Sequence, residues 1–393
     1  MIEQGQTVLD ETGNHFLCLC LRGRWDPAAL QAAHALSSRV DLDWDSLRKT
    51  VHSDALTPLL YCIVRGQKLV PPSVEREWRR SYHLSLLHST RSFHELGNVL
   101  RHLAAAGVTV MLLKGAALAE TVYGNAALRP MIDLDLLLPA AEVGLAQTVL
   151  ASSDYAMQIS DPWPGFSQRY RNSLAYQRPS GGKHPFRVGL HWALLDIPHY
   201  ERIPMADWFG RAQPVHIADA QALVPAAEDH LVYMCGHLAL HHQYDPALFR
   251  YYDLAMLIHH TGDGLDWDGV VQRAVDWRLV IPLQRTLARL EELWPGTVPA
   301  GVAQEVAELQ PTRAERCIHN WVVDRRRTPT SDTLLSLVTM PGLARRVRFL
   351  LEVVFPGPAY MRQRYCRGCP ALWPLAYLQR AGLGLQYLLQ RLK

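Results

Sequence analysis

"VTVMLLKGAALAETVYGNAALRPMIDLDLLL", residues 108–138, is the stretch on which the reading of the fold turns. Its first six residues, after Gly107, form a short apolar run rich in β-formers, which fits a buried strand. "GAALAETVYG" then has the spacing of a helix closed by Gly124, "NAALRPM" is a loop, and "IDLDLLL" is a second strand. Side chains alternate along a strand, so Asp133 and Asp135 share one face while Ile132, Leu134 and Leu136 share the other. Two neighbouring carboxylates repel and lose solvation unless a cation lies between them. Hard oxygen ligands of this kind suit Mg²⁺ or Mn²⁺, with substrate phosphates completing the shell. The plain alternative is a pair of aspartates on the wet face of an exposed strand.

Lys114-Gly115 stands where the first strand gives way to the helix. Gly115 lets the backbone come close to a ligand, and the free N–H groups of the helix start, at Gly115 and Ala116, offer an anion site. A phosphate cradle therefore precedes a metal site. Lys114 and Arg129 each have two uses, contact with a triphosphate or an ion pair with the carboxylates.

Working outward, residues from Pro27 to about Leu103 carry apolar positions at three and four spacing and read as helices. After residue 138 come a helix over "AAEVGLAQTVLASS", a strand near "YAMQIS", and two strands, "SLAYQRP" and "FRVGLHWALL", around the turn "SGGKHP". This unit closes near Pro214, and from Ala226 onward the helical period returns. The expected fold class is α+β: a central mixed sheet over 104–215, an N-terminal helical region over 1–103, and a C-terminal helical region over 216–393.

The chain has 393 residues, 49% hydrophobic and 20% charged, with 11 Trp, a balance that excludes a disordered protein. No apolar run reaches the roughly 18 residues of a membrane span and the N-terminus lacks the form of a secretion signal, so a cytoplasmic protein without a membrane span is expected. Seven cysteines cannot all pair, and their spacing is not a disulfide framework. Cys366 and Cys369 form a CxxC that Cys317 and His319 could extend to a zinc set; without a second CxxC, free thiols are the preferred reading. Charge is uneven. From Pro311 to Lys393 the chain carries 14 Lys plus Arg against four acids, net +10, within a protein of net +3. Arg325, Arg326, Arg327, Arg345, Arg346, Arg348, Arg362, Arg364 and Arg367 supply most of it, either as a contact for an anionic partner or as a solvated face folded on an acidic body.

Taken in order, "LLKGAAL", "YGNAALRPMIDLDLLL", "LHWALL", "HLALHHQYDPALFRYYDLAMLI" and "FPGPAYMRQRY" resemble the nucleotidyltransferase superfamily with the DNA polymerase β-like fold. Within it they are similar to the bacterial group called nucleotidyltransferase family 5, from about residue 30 to the C-terminus. The resemblance implies Mg²⁺- or Mn²⁺-dependent transfer of a nucleoside monophosphate from an NTP, ATP foremost, to a hydroxyl, phosphate or similar acceptor, with release of pyrophosphate. It makes Asp133 and Asp135 the catalytic metal ligands and places Lys114, Gly115, Ala116 and Arg129 on the nucleotide. Asp253 matches a recurrent acid of the group, set either on the acceptor side or in an ion pair near a helix N-terminus. The acceptor, whether small molecule, peptide, protein or RNA, is not specified.

Two departures stand out. Ala116 follows Gly115 where the superfamily usually has a small hydroxyl residue, and Gly189 stands just before "LHW" where relatives carry a third carboxylate. Positions 189, 191 and 193 share a strand face, so His191 is the polar side chain nearest that place, as metal ligand, proton relay or structural histidine. The missing acid keeps open a protein that binds nucleotide, or acts as a scaffold, without turnover. A further class comes from His230, His237 and His241, whose seven and four spacing puts them on one helix face; HxxxH can hold the metal of a hydrolase, although no Glu follows His237.

Overall fold

A computed structural model describes residues 9–158, 160–181, 185–196, 198–323, 329–365, 374–380 and 382. Five helices come first: α1 (Glu11–Arg22), α2 (Pro27–Arg39), α3 (Trp44–Ser53), α4 (Thr57–Val64) and the long α5 (Pro72–Ala105). Asp10, Asp26 and Asp43 start α1 to α3 by accepting from first-turn N–H groups that have no partner within the helix. The α/β unit follows as β1 (Met111–Leu112), α6 (Lys114–Thr121), β2 (Leu134–Leu137), α7 (Val143–Ser152), β3 (Ala156–Met157), α8 (Phe166–Tyr170), β4 (Ser173–Arg178) and β5 (Phe186–His191). It continues through α9 (Met205–Arg211), β6 (Gln213–Ile217) and β7 (Ala220–Val224).

All seven strands lie in one mixed sheet of order β3-β4-β5-β2-β1-β7-β6. At its centre β2 runs antiparallel to β1 and parallel to β5, and β1 is parallel to β7. The sheet extends past residue 215, where the sequence suggests it ends, because β6 and β7 form a hairpin. That hairpin turns on Ala218 and Asp219, both in the left-handed region at φ 53° and 58°, and therefore lacks the glycine that usually marks such a turn.

Alternation along the strands builds two surfaces. Leu134, Leu136, Val188 and Leu190 enter one core with Leu96 and Leu103 of α5 and Leu150 of α7. The other face of β2 presents Asp135 and Leu137, and Leu137 joins a second core built mostly of helices. Those helices are α10 (Ala227–Leu240), α11 (Leu248–Thr261), α12 (Trp267–Asp276) and α13 (Val280–Leu293), packed with α1 to α4. The N-terminal and C-terminal helical regions thus close around one core: the Tyr252 hydroxyl donates to Leu21 O (3.1 Å), and Trp294 Nε1 to Cys18 O (3.0 Å). Full burial of aromatics such as Trp294 and Tyr252 contributes about 1.5–3 kcal/mol apiece.

Five further helices follow: α14 (Ala300–Glu308), α15 (Arg313–Val323), α16 (Pro329–Thr339), α17 (Leu343–Val354) and α18 (Pro358–Tyr365). Part of the basic C-terminal charge is answered locally, Arg345 pairing with Glu201 and Arg348 with Glu352. Arg325, Arg326, Arg327 and Arg367 lie outside the described residues, as do Cys366 and Cys369. Of the remaining zinc candidates, Cys317 is exposed on α15 while the buried His319 meets the Tyr244 hydroxyl at 3.1 Å. Among the described residues no helix is long and apolar enough to cross a membrane.

Candidate active site

A cleft of about 1290 Å³ is lined by residues of β2, β5, α10 and α11, and into it come Lys114, Gly115, Arg129, Asp133, Asp135 and His191. The two aspartates do meet in one cavity, although the strand begins two residues later than its sequence suggests, at Leu134 rather than Ile132. Asp133 sits in the bend before Leu134, exposed and without a hydrogen-bond or ion-pair partner among the described residues. Asp135 lies within β2, its side chain only 12% exposed.

Asp135 is held from both sides. Lys114 Nζ meets its Oδ2 at 3.0 Å and His191 Nε2 meets its Oδ1 at 2.8 Å. Burial works to raise the Asp135 carboxyl, but the Lys114 charge and the two hydrogen bonds outweigh it and hold the group below the usual carboxylate range. Asp133 moves the opposite way: desolvation at the cleft and the charge of Asp135 raise it, with Lys114 opposing.

The strand register explains His191. β2 and β5 are parallel with Asp135 opposite Gly189 and Leu137 opposite His191, so the His191 ring reaches back toward Asp135 across the space above Gly189. A Cβ at 189 would lie 2.7 Å from Asp135 Oδ1 and 3.1 Å from His191 Nε2. The glycine found where an acid is expected is therefore what admits the histidine. His191 Nδ1 is buried and has no hydrogen-bond partner among the described residues.

Lys114 adopts φ 48°, a left-handed conformation that is uncommon for a side-chain-bearing residue. Its N–H donates to His230 Nε2 at 3.2 Å. Burial first, and then the Lys114 charge, push the His230 imidazole down to about 4, which keeps it neutral and able to accept. The fully buried Tyr233 hydroxyl stands within hydrogen-bonding reach of Lys114 and is pushed up to about 12, by burial first. The next N–H groups, those of Gly115 and Ala116, belong to the first turn of α6, where no intrahelical acceptor exists. The space above Gly115 is filled from within: a Cβ there would meet Met131 at 3.1 Å and Arg129 at 3.5 Å. Ala116 points its methyl into the sheet core, so only its backbone faces the turn.

Arg129 does not pair with the strand aspartates. It forks onto Asp253, with Nε 2.8 and 2.9 Å from the two carboxylate oxygens and Nη2 2.8 Å from Oδ2. The Tyr123 hydroxyl donates to the same carboxylate at 2.8 Å, and Arg129 lies over the Phe249 ring. Asp253 falls in the second turn of α11 and, at 6% side-chain exposure, fastens the 125–131 loop to that helix.

The histidine face of α10 also divides. His230 turns to the Lys114 backbone, while His237 and His241 stay together and are joined by His242 rather than by His230. Sequence spacing could not find His242, since i+5 leaves a helix face; it joins because the helix ends at residue 240. Tyr123 and Tyr233 likewise carry no sequence signal, being typical core residues until the fold places them beside charged groups.

The donor set fits a hard divalent cation. Asp133 and Asp135 supply acceptor-only oxygens to one cavity, and each carboxylate oxygen of Asp135 keeps a second lone pair beyond its bond to Lys114 or His191. No curated protein matches the sequence. The pattern of one protein family covers residues 41–295, more than half of the chain and all of this site, and on that match the chain belongs to the uncharacterised nucleotidyltransferase family.

Proposed function

We propose that the chain transfers a nucleoside monophosphate from an NTP, ATP foremost, to an acceptor oxygen, with pyrophosphate as leaving group. The observation that carries this reading is the convergence of Asp133, Asp135 and the Lys114-Gly115 turn on one cleft, within a nucleotidyltransferase family. When bound, a Mg²⁺ or Mn²⁺ ion on the two aspartates would stabilise charge on the attacking and leaving oxygens of an in-line displacement. Lys114 is placed to exchange its contact with Asp135 for a phosphate oxygen, and the first-turn N–H groups of α6 present the positive end of the helix to the same anion. His191, anchored on Asp135, orients that carboxylate where relatives are expected to use a third acid. Arg129 acts through structure, by bracing the loop that leads to Asp133. The volume of the cleft exceeds that of an ordinary small-molecule pocket, roughly 300–1,000 Å³, and leaves room for an acceptor beside the nucleotide.

A second reading, nucleotide binding without transfer, is favoured by one observation: the position of the third acid is Gly189, and its space is used by His191. Incubation with each NTP and Mg²⁺ or Mn²⁺ separates the two, following pyrophosphate release and the mass of NMP adducts on small-molecule, peptide, protein and RNA acceptors. Transfer that disappears in Asp133→Asn and Asp135→Asn supports the first reading. Tight NTP binding with no adduct on any acceptor supports the second.

A further inference from the structure

We propose that His237, His241 and His242 form a transition-metal site on the helical wall of the cleft, suited to Zn²⁺ and separate from the aspartate pair. One ring nitrogen from each lies within 4.8 Å of the other two, and all three side chains line the cavity.

The geometry follows from how α10 ends. His237 and His241 are one turn apart, and their rings lie nearly parallel at 4.8 Å and 11°. His241 is the C-cap, after which the chain reverses through Gln243 and Tyr244, at φ 50° and 56°. Backbone bonds from Gln243 N to Ala239 O (3.1 Å) and Tyr244 N to Leu238 O (3.0 Å) close that reversal. It swings the His242 ring back to 4.8 Å from both others and almost perpendicular to them. Non-glycine residues in the left-handed region cost on the order of 1 kcal/mol or more each, so tertiary contacts must hold the turn. α15 does so: Gln243 Nε2 donates to Val322 O at 2.7 Å, and the Tyr244 hydroxyl meets His319. The three imidazoles are thus presented by a braced turn.

Three imidazole nitrogens select Zn²⁺ and its borderline neighbours over Mg²⁺, which prefers oxygen. Zn–N bonds of about 2.0–2.1 Å require nitrogens roughly 3.3 Å apart, so ring rotations must draw the set together. Arg250 Nη1 donates to His242 Nε2 at 2.9 Å, which shows that this nitrogen presents a lone pair. A metal would take that lone pair and leave Arg250 with Asp245, 3.4 Å away. Three neutral ligands beside Arg250 leave the positive charge of the ion uncompensated, so the fourth position calls for an anionic oxygen; it opens at the exposed His241 side. The site stands independently of nucleotidyl transfer, because its ligands are not those of the aspartate pair.

The test uses tag-free, full-length protein stripped with a chelator and titrated with Co²⁺, reading the visible d–d bands of a nitrogen-ligated ion, followed by displacement with Zn²⁺. One metal per chain is expected, insensitive to Mg²⁺ and retained in the Asp133→Asn/Asp135→Asn double variant. His241→Ala and His237→Ala should each weaken binding by about 100-fold or more. His241 is exposed, so its variant tests the ligand without disturbing the core; circular dichroism checks the His237 variant. Absence of the bands with no retained zinc would overturn the proposal, as would a band unchanged by His241→Ala.

Discussion

Gly189→Ala probes the arrangement at Asp135 most directly. The added Cβ would stand 2.7 Å from Asp135 Oδ1, closer than such atoms approach, and 3.1 Å from His191 Nε2. The carboxylate cannot simply swing aside, because Lys114 holds its other oxygen at 3.0 Å and its backbone is fixed in the centre of the sheet. The yielding contact is the 2.8 Å bond between His191 and Asp135. A hydrogen bond to a charged group contributes about 1.5–3 kcal/mol, which corresponds to roughly a 10- to 150-fold change in the folding equilibrium. Urea unfolding at pH 7 should show the unfolding free energy falling by that amount, through a lower midpoint at unchanged slope. Gly189→Asp should lose at least as much and gain no transfer activity, since the new acid displaces the histidine and adds a third negative charge beside Asp135. The decisive comparison is a double-mutant cycle: once His191→Ala has removed the ring, Gly189→Ala should cost less, with a coupling above about 1 kcal/mol. Equal stability of Gly189→Ala and the unmodified protein, or strictly additive costs, would refute the reasoning.

Asp253→Asn should destabilise by about 3–5 kcal/mol in urea, since it strands the buried Arg129 guanidinium, whereas Asp133→Asn on the exposed bend should stay within about 0.5 kcal/mol. Raised folded pKa values penalise a carboxylate at neutral pH, a penalty that fades as pH falls through the raised value; Mg²⁺ or Mn²⁺ should relieve it for Asp133, raising the thermal midpoint at pH 7 in the native protein but not in Asp133→Asn. For His230 the folded value of about 4 lies below the ordinary 6.5, so the unfolded chain takes up the proton first. Its contribution is complete above pH 6.5 and declines toward pH 4, a loss on the order of 2–3 kcal/mol by pH 4.5, and His230→Gln, which keeps an acceptor for Lys114 N–H, should flatten that part of the pH–stability curve.

The strand, turn, helix, loop and strand of residues 108–138 were legible because each rests on local periodicity, and the shared side of Asp133 and Asp135 follows from the pleat alone. Gly189 and His191 could be assigned to one face for the same reason. Turn chemistry failed at Ala218-Asp219, where no glycine announces the β6–β7 hairpin, and so the sheet's last two strands stayed hidden. What sequence could not decide is who partners whom. Lys114 and Arg129 read alike as cations for phosphate or carboxylate, yet one meets Asp135 while the other meets Asp253, 124 residues away in the chain. His230 reads as a sister of His237 and is instead the acceptor for a backbone N–H across the cleft. Spacing determines which way a side chain points from its own element; the charge or ring it then meets depends on strand register and helix packing, which bring together residues a hundred or more positions apart.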